Sequence, residues 1–213
     1  MHIISTDEKT GVQATEHLHP SIPAEPGKVE RIEQEYIRHG TVTLIAGRDI
    51  VTGQIADAMV GPTRKEGDFV QHLKNMVGND PDASYIFIMD QLNTHKSEQM
   101  VRFVAAECNI SDDLGIKGES GILKSMESRA EFLTRSDHRI RIVYTPKHSS
   151  WLNQIECWFS ILGRRLLNKR ASFKSKESLK TKILEFIKYY NENLAKPFKW
   201  NSTEKLLKWC KFI

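Results

Sequence analysis

The most regular apolar pattern in the chain begins just after Pro146. Leu152, Ile155, Phe159, Leu162 and Leu166 recur at three- and four-residue steps, which is the stripe of an amphipathic helix. Ser149 or Ser150 is expected to cap its start. A second stripe, Leu179, Ile183, Phe186, Ile187 and Tyr190, predicts a helix over 175–193, with Lys176, Lys180, Lys182 and Lys188 mostly off the apolar face. Phe69, Val70, Leu73, Met76 and Val77 predict a third helix. Thr63-Arg64-Lys65-Glu66 would open it as a capping box, and 79–82 would end it. Shorter helices are expected over 98–107 and 124–133.

Strand patterns fill the gaps. Residues 2–6 are a β-branched run that would deliver Asp7 at its C-terminal end. Residues 9–30 are polar and carry Pro20, Pro23, Pro26 and Gly27, so a loop is expected there. The runs 36–46 and 54–60 flank a turn over 47–53 and predict a hairpin. Tyr85-Ile86-Phe87-Ile88-Met89 is continuously apolar, as in a central strand covered on both faces, and it ends at Asp90. Ile140 to Tyr144 is the last strand. Between them, 110–137 forms an insert with Gly115, Gly118 and Gly121 near its start. The order β-β-β-α-β-α-insert-β-α-α predicts an α/β fold with a mixed sheet and helices on both faces.

Composition narrows the class. A chain of 213 residues with 39% hydrophobic and 27% charged residues matches an ordinary globular domain. No apolar run approaches a membrane span, and the first residues lack the pattern of a secretory signal. Three scattered cysteines, Cys108, Cys157 and Cys210, form no CxxC pair and suggest reduced thiols. His17 and His19 have no partners at zinc-ligand spacing. The net charge of +4 is unevenly placed: from Trp151 onward there are 14 Lys/Arg against 5 Asp/Glu. A basic C-terminal third suits a polyanion, although lysines on solvated helix faces give the same count.

Three acids stand out. Asp7 and Asp90 each follow a strand, and ligand sites of open α/β sheets lie at such carboxyl ends. Glu156 falls beside the apolar stripe of the helix after Pro146, where an acid is costly unless something positive neutralises it. Brought together, three carboxylates would repel one another and raise each other's pKa. Mg²⁺ or Mn²⁺ would remove that cost, and a pair of ions could activate a water or hydroxyl against a phosphodiester. Taken singly, each aspartate also fits an ordinary turn or helix cap.

The segments DEKT at Asp7, YIRHGTVTLIA at Tyr36, IMDQLNTHKS around Asp90 and VYTPKHSSWLNQIECWFSILGRR around Glu156 resemble a bacterial insertion-sequence transposase of the mariner-like branch. That branch belongs to the DDE transposase and retroviral-integrase superfamily. The resemblance runs from about Asp7 to Trp200 and is most specific in TPKHSSWLNQIE. It implies an RNase H-like fold with a five-stranded mixed sheet. It also implies cleavage and strand transfer at transposon ends with two divalent ions, Mg²⁺ or Mn²⁺. By motif position Asp7, Asp90 and Glu156 would be the catalytic, metal-binding acids. Water held on one ion would attack the DNA, and the freed 3′-hydroxyl would attack target DNA.

Candidate DNA contacts follow from position. Asn93 and His95 come just after the second acid and could orient Asp90 or touch a phosphate; His148 and Asn153 come just before the third and could contact DNA or hold the loop. Arg164, Arg165, Lys169 and Arg170 continue from the third acid's helix and could meet phosphates. Trp151 and Trp158 could stack on a base, but core packing is the expectation for both. Arg38 and His39 are expected to be structural.

The resemblance implies as partners transposon inverted repeats and target DNA, and a homodimer in the synaptic complex. The catalytic domain is expected over 1–170 with the insert at 110–137, and 171–213 as its C-terminal helical extension. Mariner-like cores usually keep the second and third acids closer than the 65 residues between them here, and the insert accounts for the excess. Family members normally carry helix-turn-helix units before the first acid, and none is expected here. A separately encoded helix-turn-helix partner or a frame joined by frameshifting would supply one. An inactive truncated DNA-binding remnant and a stand-alone RNase H-like nuclease are the competing readings. A cytoplasmic, nucleoid-associated location accompanies the bacterial assignment.

Overall fold

A computed structural model of the chain describes residues 1–147 and 149–197. Five strands form one mixed sheet in the order β3-β2-β1-β4-β5. They are β1 (His2–His17), β2 (Tyr36–Asp49), β3 (Ile55–Gly61), β4 (Tyr85–Met89) and β5 (Ile140–Tyr144). Neighbours β1–β2 and β2–β3 are antiparallel, whereas β1–β4 and β4–β5 are parallel. The helices are α1 (Glu66–Asn79), α2 (Glu98–Glu107), α3 (Met126–Thr134), α4 (Gln154–Arg165) and α5 (Lys176–Asn193). The α/β mixed sheet of the sequence reading is therefore present, with every expected strand. No helix among the described residues is long and apolar enough to cross a membrane.

Strand alternation divides the core between two faces. On β2, Ile45 joins the cluster under α1, α2 and α3, while Leu44 and Ala46 join the cluster under α4 and α5. Ile155, Trp158, Phe159 and Leu162 of α4 are each no more than 2% exposed. At roughly 1.5–3 kcal/mol per fully buried large side chain, that stripe anchors the helix to the sheet. Leu179, Ile183 and Tyr190 bring α5 into the same cluster, so residues after 170 share the core. The predicted double cover of β4 is partial: Tyr85, Phe87 and Met89 are buried, but Ile86 and Ile88 are half-buried.

Three local expectations are corrected. The loop predicted from residue 9 does not begin there, because β1 continues to His17. Val12 and Ala14 turn inward, and the ladder with β2 resumes after irregularities between Lys9 and Val12 and between Gln13 and Thr15. Gly11, at φ +66°, takes the left-handed conformation that the first irregularity requires. Asp7 thus lies mid-strand, opposite Ala46, rather than at a strand end.

The second correction concerns the start of α1. The N-cap is Lys65, not Thr63, and the N3 acid is Asp68 rather than Glu66. The Asp68 carboxylate accepts from the Lys65 backbone N–H at 2.8 Å and from the Thr63 hydroxyl at 2.5 Å. Third, neither Ser149 nor Ser150 caps α4. Ser150–Leu152 form a 3₁₀ turn, and Asn153 is the N-cap. Serines do cap α2, α3 and α5, where Ser97, Ser125 and Ser175 each accept an N–H three residues on.

Candidate active site

The parallel ladder between β1 and β4 ends at Ser5 opposite Ile88, one residue short of the end of β4. β1 then runs on alone with β2. Asp7 and Asp90 therefore emerge at the same sheet edge from adjacent strands, each just past that ladder.

Asp7 is only 8% exposed. One carboxylate oxygen accepts from the Glu8 N–H at 2.7 Å, and the other accepts from the Asn153 side chain at 3.0 Å. Burial pushes its pKa up to about 7, and the charges of Asp90 and Glu8 add to the rise, against the Glu8 N–H and His95.

Asp90 is the open member of the pair, with its side chain 41% exposed. Its Oδ1 lies 2.8 Å from His95 Nδ1 and accepts the Leu92 N–H at 2.9 Å. The His95 hydrogen bond holds Asp90 below the usual carboxylate range despite partial burial.

His95 is wholly buried against Phe69, with ring centroids 4.2 Å apart. Its Nε2 lies 3.3 Å from Oε2 of Glu8, whose side chain is 1% exposed. Burial works against the imidazolium, but the two carboxylates outweigh it and raise His95 to about 9. One cation thus sits between two acids, with Asp7 next to them. Alternation on β1 explains the arrangement: Ser5 and Asp7 face α4, while Thr6 and Glu8 face the α1 side, where Thr6 meets His72 at 3.0 Å.

Asn153 joins α4 to β1. It is fully buried, and its Nδ2 donates to Asp7 and, at 3.3 Å, to the Thr6 carbonyl. Its Oδ1 accepts a short hydrogen bond from the Ser5 hydroxyl, which in turn accepts the Ile155 N–H at 2.9 Å. The start of α4 is fixed against the strand that carries Asp7.

Glu156 corrects the sequence argument. It is exposed on the first turn of α4, so it needs no counter-charge to be tolerated, and a helix N-terminus favours an acid there. Among the described residues, no three His, Cys, Asp or Glu side chains converge closely enough to form a metal-holding group. The structure brings Asp7 and Asp90 together with Glu8 and His95. It leaves Glu156 outside, one turn along the helix that Asn153 ties down.

The candidate DNA contacts divide the same way. His95 and Asn153 are buried and cannot touch a phosphate; both instead hold aspartates. Asn93, Arg164, Arg165, Lys169 and Arg170 are exposed. Of these, Arg164 donates to Ser160 at 2.8 Å and Arg170 to Glu30 at 2.7 Å. His148 lies outside the described residues. Trp158 is buried as expected, but Trp151 is 70% exposed on the turn before Asn153. The sequence reading missed Ser5, Glu8 and Lys96. Of these only Glu8 left a signal, an acid adjoining Asp7 on a strand whose neighbours face opposite sides.

A mixed five-stranded sheet in this order, with helices on both faces and acids at the carboxyl edge of its parallel pair, is an RNase H-like fold. The chain belongs to the DDE superfamily endonuclease family, whose profile matches residues 2–180. Among solved structures it is similar to the Mos1 transposase paired-end complex with left transposon end, at 17% identity and TM-score 0.56. That match covers 99% of this chain and 54% of the other. A pre-cleavage Mos1 transpososome matches at 15% identity and TM-score 0.57, with 99% and 54% covered. The Mos1 mariner paired end complex with Mn matches at 15% and 0.53, with 87% and 48% covered. The chain thus spans about half the length of these structures. Comparison with curated proteins gave no significant match.

Proposed function

We propose that this chain is the catalytic domain of a mariner-like DNA transposase, cleaving DNA at transposon ends and joining the freed 3′-hydroxyl to target DNA. The observation that carries the proposal is the pairing of Asp7 and Asp90 at one sheet edge, with α4 latched to the same strand, in a chain of the DDE endonuclease family.

The donors suit a hard divalent cation. Asp7 and Asp90 would supply oxygen ligands, and burial, with a smaller contribution from the charge of Asp90, already raises Asp7. Together they would hold Mg²⁺ or Mn²⁺, with Glu156 as the exposed third ligand. The naming of Mn in a Mos1 complex supports this class of ion. Such an ion would supply Lewis-acid activation of an attacking oxygen and stabilisation of the leaving one.

The protein's own contribution is positional. Asn153 and the Glu8 N–H occupy both oxygens of Asp7 and fix its plane. His95 steadies Asp90 while leaving its side chain accessible. Glu8 keeps the imidazole of His95 charged beneath the site. Two DNA ends held by a homodimer belong to the same proposal. Light scattering with and without end DNA tests the dimer.

The test of function is nicking of supercoiled plasmid in Mg²⁺ or Mn²⁺. Asp90→Asn is expected to lower the rate by about 10³-fold, the equivalent of several kcal/mol of transition-state stabilisation. Equal rates would remove Asp90 from the chemistry.

A further inference from the structure

Beside Asp90 lies a lysine that no assigned role uses. Lys96 closes the 3₁₀ turn Asn93–Lys96 and is half-buried. Among the described residues its ammonium meets no carboxylate at ion-pair distance. It donates to Gln91 Oε1 at 3.2 Å and lies 4.8 Å from the centre of the Tyr144 ring. Gln91 is itself held, its amide donating to the Thr145 carbonyl at 3.0 Å. A cation on an aromatic face is positioned without being neutralised.

Its surroundings sharpen the point. Burial lowers the Lys96 pKa, and the charge of exposed Lys147 lowers it further, while Glu127 and Asp90 act weakly the other way. An anion would favour the charge that burial disfavours on Lys96.

The turn is braced from behind. Arg129 of α3, 8% exposed, donates from Nε to the Lys96 carbonyl at 2.7 Å and from Nη1 to the Leu123 carbonyl at 3.0 Å. The Tyr144 hydroxyl donates to the His95 carbonyl at 2.9 Å. α3 belongs to the insert between the second and third acids, so the insert reaches the site through this arginine.

We propose that Lys96 forms a subsite for one backbone phosphate of the DNA strand at Asp90, and that α3 of the insert holds Lys96 in place through Arg129. The proposal rests on the reading of the chain as a DNA-cleaving domain and names where that strand is gripped. Lys96 follows His95, whose Nδ1 lies 2.8 Å from Asp90, and it donates to Gln91, the residue after Asp90. A phosphate held there therefore adjoins the carboxylates instead of a distant surface.

The test is fluorescence anisotropy of a labelled DNA duplex over a salt series. Lys96→Met is expected to weaken binding roughly tenfold, as for one charge-assisted contact. The slope of log affinity against log salt should fall by about one. Lys96→Arg should keep the slope. Arg129→Met combined with Lys96→Met should bind no more weakly than Lys96→Met. An unchanged salt slope in Lys96→Met overturns the subsite. If Lys96→Met does not melt like the parent, the comparison of Lys96→Gln with the parent decides: an unchanged slope overturns the subsite, and a slope reduced by about one supports it.

Asp90→Asn separates the two claims, since it should lower nicking by about 10³-fold and keep the parent's salt slope. A parent that binds with a Lys96-dependent slope yet never nicks DNA refutes the catalytic reading and leaves the subsite standing.

Discussion

Asp7 and Glu156 carry the same kind of charge in opposite settings. Asp7 is 8% exposed on a strand that pairs there with β2, with both carboxylate oxygens occupied. Glu156 stands exposed on the first turn of α4, where the helix terminus favours an acid. The β-sheet side of the candidate site is built in advance, from buried charges balanced by His95. The helix side is left open, to be completed by whatever binds. Preorganisation therefore costs stability on the strand side alone.

Activity should not distinguish the two acids, and this is the largest expected effect. Asp7→Asn and Glu156→Gln should each lower metal-dependent nicking by about 10³-fold. If Glu156→Gln nicks at the parent rate, the helix side contributes no ligand and the comparison loses its second half.

Stability should distinguish the two sides. His95→Ala leaves the Glu8 carboxylate buried without its cation and should cost about 3–5 kcal/mol in urea unfolding. Asn153→Ala strips hydrogen bonds from Ser5, Asp7 and the Thr6 carbonyl and should cost about 1–3 kcal/mol. Glu156→Gln should change stability by less than about 0.5 kcal/mol, as an exposed substitution does.

The pH dependence sharpens the contrast in the metal-free protein. Asp7 rises from 3.8 unfolded to about 7 folded, so the native state holds the extra proton between those values. Stability from this group is present below pH 4 and declines as pH rises to 7. His95 rises from 6.5 to about 9, so its contribution is complete below 6.5 and is lost through 9. Calorimetric melting temperatures should therefore fall steadily from pH 4 to 9 in EDTA. Mn²⁺ should restore part of the loss above pH 7, where Asp7 is ionised. A flat profile would mean that the strand side is no more strained than the helix side.

Much of the frame was legible from pattern. β4, α2 and β5 have the bounds that the sequence predicts, because each is a short run whose apolar spacing is met locally. The far half of β1 was not legible. KTGVQATEH is mostly polar, with only Val12 and Ala14 facing inward, and its ladder is supplied by β2 from the other side of the 18–35 segment. The burial of His95 was not legible for the same reason. A polar turn looks solvated until Phe69 and Glu8, distant in sequence, close over it.

The sequence by itself determined the element order, the two apolar faces of the sheet and the positions of Asp7, Asp90 and Glu156, because periodicity and motif spacing are properties of the chain. Only the tertiary structure decided which charges are buried and what holds them. Burial and hydrogen-bond partnership depend on residues brought together from separate strands and helices. That is why Glu8 and Asn153 came to fix the site, and Lys96 to border it.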